Sequence, residues 1–533
     1  MIMMRNAFLL VFGICGLVLL NGSCKNATVE QVSTDTADFK FLEYDINQMQ
    51  AGYANGDFTI EQVVDAYLKR IAAIDQQGPA LHSVIEVNPE ALAIAAALDV
   101  ELKAGKKRGP LHGIPILLKD NIDTHDQMST TAGSRALAGS HPLQDSDVAS
   151  KLRKAGAVII GKANMSEWAN FRGEMSTSGW SGLGGQVKNP YVLSRNPCGS
   201  SSGSGASVSA NLTMLAIGTE TNGSIVCPSH ANGIVGIKPT VGLVSRSGVI
   251  PISYTQDTPG PMARTLTDAA ICLGALVGVD SLDDKTWASE GKFHLDYTQF
   301  LKKDGLKGKR IGLFKKPFGR INKVDTLMNR AVAFMKSQGA EIVEVDNIGD
   351  DAVGEHSFEI MLFEYKDGLN KYFKSLGPDA KIKNLEELIA FNKSDSIELE
   401  HFDQKYLEMA LAKGDLTDPK YKKALEALML GSRKNGMDKV MDSNNLDAII
   451  APTGSPAWHT DLLNGDHYTL GTSSPAAQAG YPSITVPMGF VGELPIGISF
   501  FGRAWSEPVL LEMAFAYENG TKHRKVPKFL VAD

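Results

Sequence analysis

The stretch "DVASKLRKAGAVIIGKANM", residues 147–165, limits what this chain can fold into more than any other. Val148 and Leu152 stand four apart, the spacing of a helix with one apolar face. Gly156 ends that helix, and residues 157–160 then run apolar without a break, as a buried strand does. The unit recurs. "TIEQVVDAYLKRIAAID" opens on Thr59 with Gln62 three residues later, a capping box, and lines up Val63, Tyr67, Ile71 and Ile74 on one face. "EALAIAAALDVELKAG" is a second helix, and "GIPILLKDNID" is a buried strand with the loop that leaves it. "KRIGLFKKP", "NRAVAFMKSQGAEIVEVD" and "NNLDAIIAPTGSPAW" continue the alternation. Helix and strand in turn predict an α/β fold with a large mixed, largely parallel twisted sheet flanked by helices. Residues of about 355–440 break the rhythm with helical patterns and few strand signals, so we expect a helical insertion. It serves as a cap over a pocket or as a plain helical layer on the sheet.

With 533 residues, the chain has room for one large domain or two. It is 43% hydrophobic and 21% charged, which suits a globule with a large core. The net charge is −7 and no long Lys/Arg run occurs, so nucleic acid is not an expected partner. The first residues differ: Arg5, an apolar run over 7–20, then "LLNGSC". That reads as an export signal over 1–24 of the bacterial lipoprotein type, with Cys24 lipidated, followed by a polar tether over 25–40 and the main domain over 41–533. The run is short for a membrane span. The expected location is therefore the bacterial cell envelope, in the periplasm or at the outer membrane, with membrane contact only through the N-terminal lipid; cleaved, soluble export and an uncleaved anchor are the alternatives. Cys15 and Cys24 fall in the leader, leaving Cys198, Cys227 and Cys272. Their spacing fits no zinc site. Cys198 and Cys227 read as small buried packing residues.

Those two cysteines stand near the ends of a segment with many serines, "PCGSSSGSGASVSANLTMLAIGTETNGSIVCPSH", residues 197–230. It is no linker, because it contains the helix-like "SVSANLTML" and the strand-like "LAIGTE". Residues 199–203 match G-x-S-x-G with Ser201 at the centre, yet the residues before them, "NPYVLSRNPC", hold two prolines and no strand. A nucleophile there would also need a histidine, and His230, His459 and His467 stand in no marked context. Lys119 offers a different base. Ile114, Ile116, Leu117 and Leu118 precede it, so its stem starts in an apolar layer. Burial lowers a lysine pKa and frees the neutral amine to take a proton from a serine.

The serine segment, with "GPLHGIPILLKDNI", "GKANMSEWANFRG", "QDTPGPMAR" and "AGYPSITVPMG…LPIGISFFG", resembles the amidase signature family from about residue 40 to about 525. "SEWANFRG", "SGWS" and "PCGSSSGS" place it nearest the peptide-amidase branch. The resemblance implies the amidase-signature fold and a Ser–cis-Ser–Lys triad of Ser224, Ser200 and Lys119, with the cis bond between Gly199 and Ser200. It implies an acyl-enzyme on Ser224 and an oxyanion hole from backbone N–H groups of Thr221, Asn222 and Gly223. Ser201 is expected to hydrogen-bond in support, and Trp168, Phe171 and Trp180 to line a substrate channel. Asp257 and Arg264 read as a buried charged pair or network that holds a loop. Cys198, Ser202 and Asn222 stand where the family has glycine, and Asn222 adds a side chain beside the oxyanion site. The implied activity is release of ammonia from peptide C-terminal amides, without metal or other cofactor. The alternatives are aliphatic, fatty-acyl or aryl amides, or a surface lipoprotein that binds without catalysis.

Overall fold

A computed structural model describes residues 30–31, 39–350 and 352–531. The leader and Cys24, on which the export reading falls, lie outside them. The strands are β1 (Glu30–Gln31), β2 (Val84–Val87), β3 (Pro115–Lys119), β4 (Val158–Ala163), β5 (Trp180–Ser181), β6 (Gly185–Gln186), β7 (Leu215–Glu220) and β8 (Val235–Lys238). They continue as β9 (Thr258–Ala263), β10 (Arg310–Phe314), β11 (Glu341–Val345), β12 (Ala448–Pro452), β13 (Ser483–Val491), β14 (Leu494–Phe501) and β15 (Leu530–Val531). Among the described residues an eleven-stranded sheet runs in the order β11-β10-β12-β14-β13-β8-β9-β7-β3-β4-β2. It is mixed. β10 lies parallel to β11 and β12, and β3 lies parallel to β4 and β7. The centre, β14-β13-β8-β9-β7, is antiparallel.

Helices α1 (Ile46–Asn55), α2 (Ile60–Arg70), α3 (Ala91–Lys103), α4 (Asp147–Lys154), α5 (Ser202–Ser209), α6 (Val226–Ala231), α7 (Leu266–Leu276) and α8 (Asn322–Ser337) alternate with the strands. Thr59 caps α2, with the reciprocal Gln62 bond in place. The α4–β4 unit forms as its spacing predicts, with Val148 and Leu152 buried and every residue of β4 buried. Between β11 and β12 the chain is helical: α9 (Val353–Ser375), α10 (Leu385–Ser394), α11 (Lys405–Leu411), α12 (Pro419–Met429) and α13 (Asp438–Ser443). Then α14 (Ser474–Ala479) precedes the β13–β14 hairpin and α15 (Glu507–Thr521) follows it.

The main apolar core packs α2, α3, α7 and α15 on the sheet. A second cluster joins α9, α10 and α11 to Met165, Trp168, Phe171, Ile250 and Ile252 of the body. That cluster matters for function, because two of its members, Phe171 and Ile252, face the cavity described next.

Candidate active site

β3 and β7 are parallel neighbours, so their C-terminal ends finish at the same edge, where open α/β sheets hold ligands. Lys119 is the last residue of β3 and is fully buried. Its Nζ donates to Ser200 Oγ at 2.7 Å, to Thr219 Oγ1 at 2.9 Å and to the Thr219 carbonyl at 3.2 Å. Burial pulls its pKa down to about 7, against the pull of the Asp257 and Glu220 carboxylates. A lysine so placed is half neutral near neutral pH.

Ser200 follows a cis peptide bond from Gly199. A side chain at Gly199 would lie 2.2 Å from Ser166 Oγ, so only glycine fits there. Ser201 is buried between α5 and β7: its Oγ donates to the Thr219 carbonyl at 3.1 Å and accepts from Thr219 N–H at 3.2 Å. Its own N–H donates to the Ser224 carbonyl at 3.2 Å. Ser201 therefore ties the serine segment to the strand end and to the 221–224 turn.

That turn is clamped from both sides. Glu220 Oε2 accepts from the N–H groups of Ile225 (2.9 Å) and Val226 (3.1 Å). Asp257 Oδ1 accepts from Thr221 Oγ1 at 2.5 Å, and its Oδ2 accepts from the N–H groups of Ile252 and Ser253, both at 2.8 Å. Gly223 takes φ +88°, a left-handed turn suited to glycine. The Asn222 side chain bonds outward, accepting from Ser473 Oγ at 2.7 Å and donating to Ser474 Oγ at 3.2 Å. Its amide is thus occupied by the Ser473 and Ser474 hydroxyls at the start of α14.

Ser200, Thr221, Asn222, Gly223 and Ser224 line one cavity of about 250 Å³. Phe171, Ile252, Met361, Trp458 and Tyr468 give it apolar walls, and Asp466 is its carboxylate. Among the described residues, no histidine lines it. His230 is buried, with its pKa pulled down to about 4 by burial, and its Nδ1 accepts from Gly497 N–H. A histidine-driven elbow at Ser201 thus has no base in the cavity.

Three expectations are corrected. Cys198 and Cys227 are not separate packing residues: they form a disulfide, Cα–Cα 5.9 Å. Asp257 and Arg264 are both buried but do not pair with each other, although Asp257 does hold the 252–253 loop as expected. Arg264 donates to the carbonyls of Thr213 (2.8 Å) and Tyr44 (2.7 Å), while Asp257 serves the Thr221 turn. Of the aromatic trio only Phe171 stands among the cavity-lining residues. Trp168 packs on Phe373, and Trp180 on Phe402 and Arg172. The cause is a run of three left-handed residues, Trp168 (φ +50°), Ala169 (+58°) and Asn170 (+70°), which reverses the chain between Trp168 and Phe171. Sequence reading missed Trp458, Tyr468 and Met361, since nothing in their local patterns marks a distant segment folding over the site.

A buried lysine in contact with one serine thus sits beside a second serine on a glycine turn, and both serines line one small, largely apolar cavity. The chain belongs to the amidase family, whose model matches residues 62–511. It is 42% identical over 508 residues to a probable amidase of Arabidopsis thaliana, covering 93% of each chain. The native peptide amidase of Stenotrophomonas maltophilia superposes with TM-score 0.89 at 47% identity, over 92% of this chain and 99% of that one. The peptide amidase PAM in complex with the competitive inhibitor chymostatin gives TM-score 0.89 at 48% identity, over 91% and 99%. The protein is an amide-hydrolysing enzyme of the amidase signature type. The expected bacterial envelope location does not stand: curated relatives come from a plant and from the fungi Arthroderma benhamiae and Schizosaccharomyces pombe, and they do not support an exported bacterial lipoprotein.

Proposed function

We propose that this enzyme hydrolyses the C-terminal carboxamide of peptides through Ser224, Ser200 and Lys119. The observation that carries the reading is the 2.7 Å contact from the buried Lys119 Nζ to Ser200 Oγ, at the wall of the cavity that Ser224 also lines. Neutral Lys119 takes the Ser200 proton as Ser200 takes that of Ser224. Ser224 Oγ attacks the amide carbonyl, and backbone N–H groups of the 221–224 turn receive the oxyanion. Each such donor is worth about 2.7–4 kcal/mol to the transition state. The relay returns the proton to the nitrogen, ammonia leaves, and water enters to hydrolyse the acyl-enzyme by the same route. The apolar walls formed by Phe171, Ile252 and Trp458 suit the side chain next to the amide. The likeness to a peptide amidase with a bound competitive inhibitor favours peptide over simple aliphatic amides.

Ammonia release from a panel of peptide C-terminal amides, aliphatic amides and aryl amides tests this. Release from peptide amides is expected, abolished by Ser224→Ala and kept within about tenfold by Ser201→Ala. Turnover confined to aliphatic or aryl amides would overturn the substrate. Full activity in Ser224→Ala would overturn the nucleophile.

A further inference from the structure

The Cys198–Cys227 disulfide joins the two short segments that carry the serines. Cys198 stands two residues before Ser200, and Cys227 three after Ser224. Both cysteines line the catalytic cavity, under Trp458. Cys198 itself is left-handed at φ +58°, an uncommon conformation for a residue with a side chain, and its N–H donates to Asn196 Oδ1 at 2.8 Å. The bridge is not the only tie between the segments. Asn232 Nδ2 donates to the Pro197 carbonyl at 2.9 Å and to the Pro228 carbonyl at 2.7 Å, and Ser201 N–H reaches the Ser224 carbonyl. These bonds hold the fold if the bridge opens, and they act on backbone atoms, one of them on the Ser224 carbonyl itself. The disulfide is the tie both of whose residues line the cavity.

We propose that the Cys198–Cys227 bridge positions Ser200 against Ser224 for turnover, and that thiol–disulfide exchange at it switches the enzyme between a fast and a slow state. The inference rests on the Ser200–Ser224 assignment made above. In the exchange, a thiolate of a small dithiol enters the cavity and attacks one sulfur. The Cys198–Cys227 bond breaks and a mixed disulfide forms; the second thiol of the reductant then displaces the protein sulfur. The products are two cysteine thiols and the cyclic disulfide of the reductant, so two electrons and two protons pass to the protein. Among the described residues the remaining cysteine, Cys272, is buried in the core on α7 and takes no part.

The test compares the full chain as oxidised protein, after dithiothreitol, after reoxidation, and as the Cys198→Ser/Cys227→Ser double variant. Thiols are counted, far-UV circular dichroism follows the fold, and kcat and KM are measured on the amide of the panel that is turned over fastest. Using that amide keeps the test independent of whether peptide amides are the true substrates. A displacement of about 1 Å at reacting groups costs up to about 10²-fold, so kcat is expected to fall by about ten- to a hundredfold on reduction. KM is expected to stay within about threefold, the spectrum to remain native, and reoxidation to restore the rate. The double variant is expected to be slow and indifferent to dithiothreitol. Labelling of the oxidised and reduced chains by a fluorophosphonate, with Ser224→Ala as blank, gives the same comparison without any amide, and should slow in parallel. Unchanged kcat in the reduced chain or the double variant would overturn the proposal. So would a loss of rate that merely follows loss of the native spectrum, or a bridge that releases no thiols.

Discussion

Lys119 can act as a base only without its proton, and its pKa near 7 fixes where that happens. Below that value the ammonium cannot accept from Ser200. We therefore expect kcat/KM for amides to rise through an acid limb near pH 7 and then level, measured under steady state across pH 5–9. Asp257 and Glu220 are the carboxylates that face Lys119, and Arg246 in turn faces Asp257. Both carboxylates favour the ammonium. Asp257→Asn removes one negative charge, so the limb should move to lower pH, while the plateau falls because the Thr221 hydroxyl and the Ile252 and Ser253 N–H groups lose a shared acceptor. Thr221→Val should lower the plateau and leave the limb where it is. A limb unmoved by Asp257→Asn would show that its charge does not reach Lys119. Lys119 was legible in the sequence because four apolar neighbours bury its stem. Asp257 was legible as a buried loop-holding charge, but its partner was not: its carboxylate meets Thr221 through the β7–β9 pairing, which sets Thr258 beside Glu220 and joins segments far apart in the chain.

At the scale of an element, residues 167–172 decide the shape of the cavity. Arg172 is buried and pairs with Glu167 and, at 3.3 Å, with Glu398 from the loop between α10 and α11. Glu398 Oε1 also accepts from Arg135 N–H at 2.7 Å, and Glu167 Oε2 from Gly182 N–H at 2.7 Å. Burial holds the Glu167 acid well above the usual carboxyl range, with the Glu398 carboxylate adding to the effect against Arg172. Arg172→Met would leave two buried carboxyls without a counter-charge and should cost about 3–5 kcal/mol in urea unfolding. The sign of its pH dependence follows. Arg172 lowers the Glu167 pKa in the wild type, so its loss raises that folded pKa further; a folded carboxyl pKa raised further loses stability as pH rises, and the deficit should grow from pH 5 to pH 8. A deficit constant over that range would mean the arginine contributes packing alone. "SEWANFRG" was legible as a block. That Phe171 turns to the cavity and Trp168 away from it was not, since three left-handed residues in a row carry no pattern in side-chain type. The disulfide escaped for a related reason: twenty-nine residues of separation say nothing of whether two Cα atoms approach within 5.9 Å.

For the whole molecule, alternating helix and strand patterns gave the α/β architecture because each buried strand writes its own apolar run. Strand order is a matter of which faces meet, and no local pattern contains it. The same limit applied to the helical stretch between β11 and β12, whose sequence left cap and layer equally open. In the fold it does something specific: Met361 of α9 is part of the cavity wall, and the cluster beneath it includes Phe171 and Ile252. A cavity wall shared with a packed cluster should feel a hole made elsewhere in that cluster. Leu388 of α10 is fully buried there, while Leu273 of α7 is as buried in the main core, against the sheet. Either leucine cut to alanine should cost about 2–5 kcal/mol in urea unfolding. The two should part company in kinetics. Leu388→Ala lets α9 and Phe171 relax toward the hole and should raise KM for amides by about three- to tenfold, whereas Leu273→Ala should leave KM within error. Equal KM values in the two variants, at equal loss of stability, would mean that the helical layer covers the sheet without shaping the site.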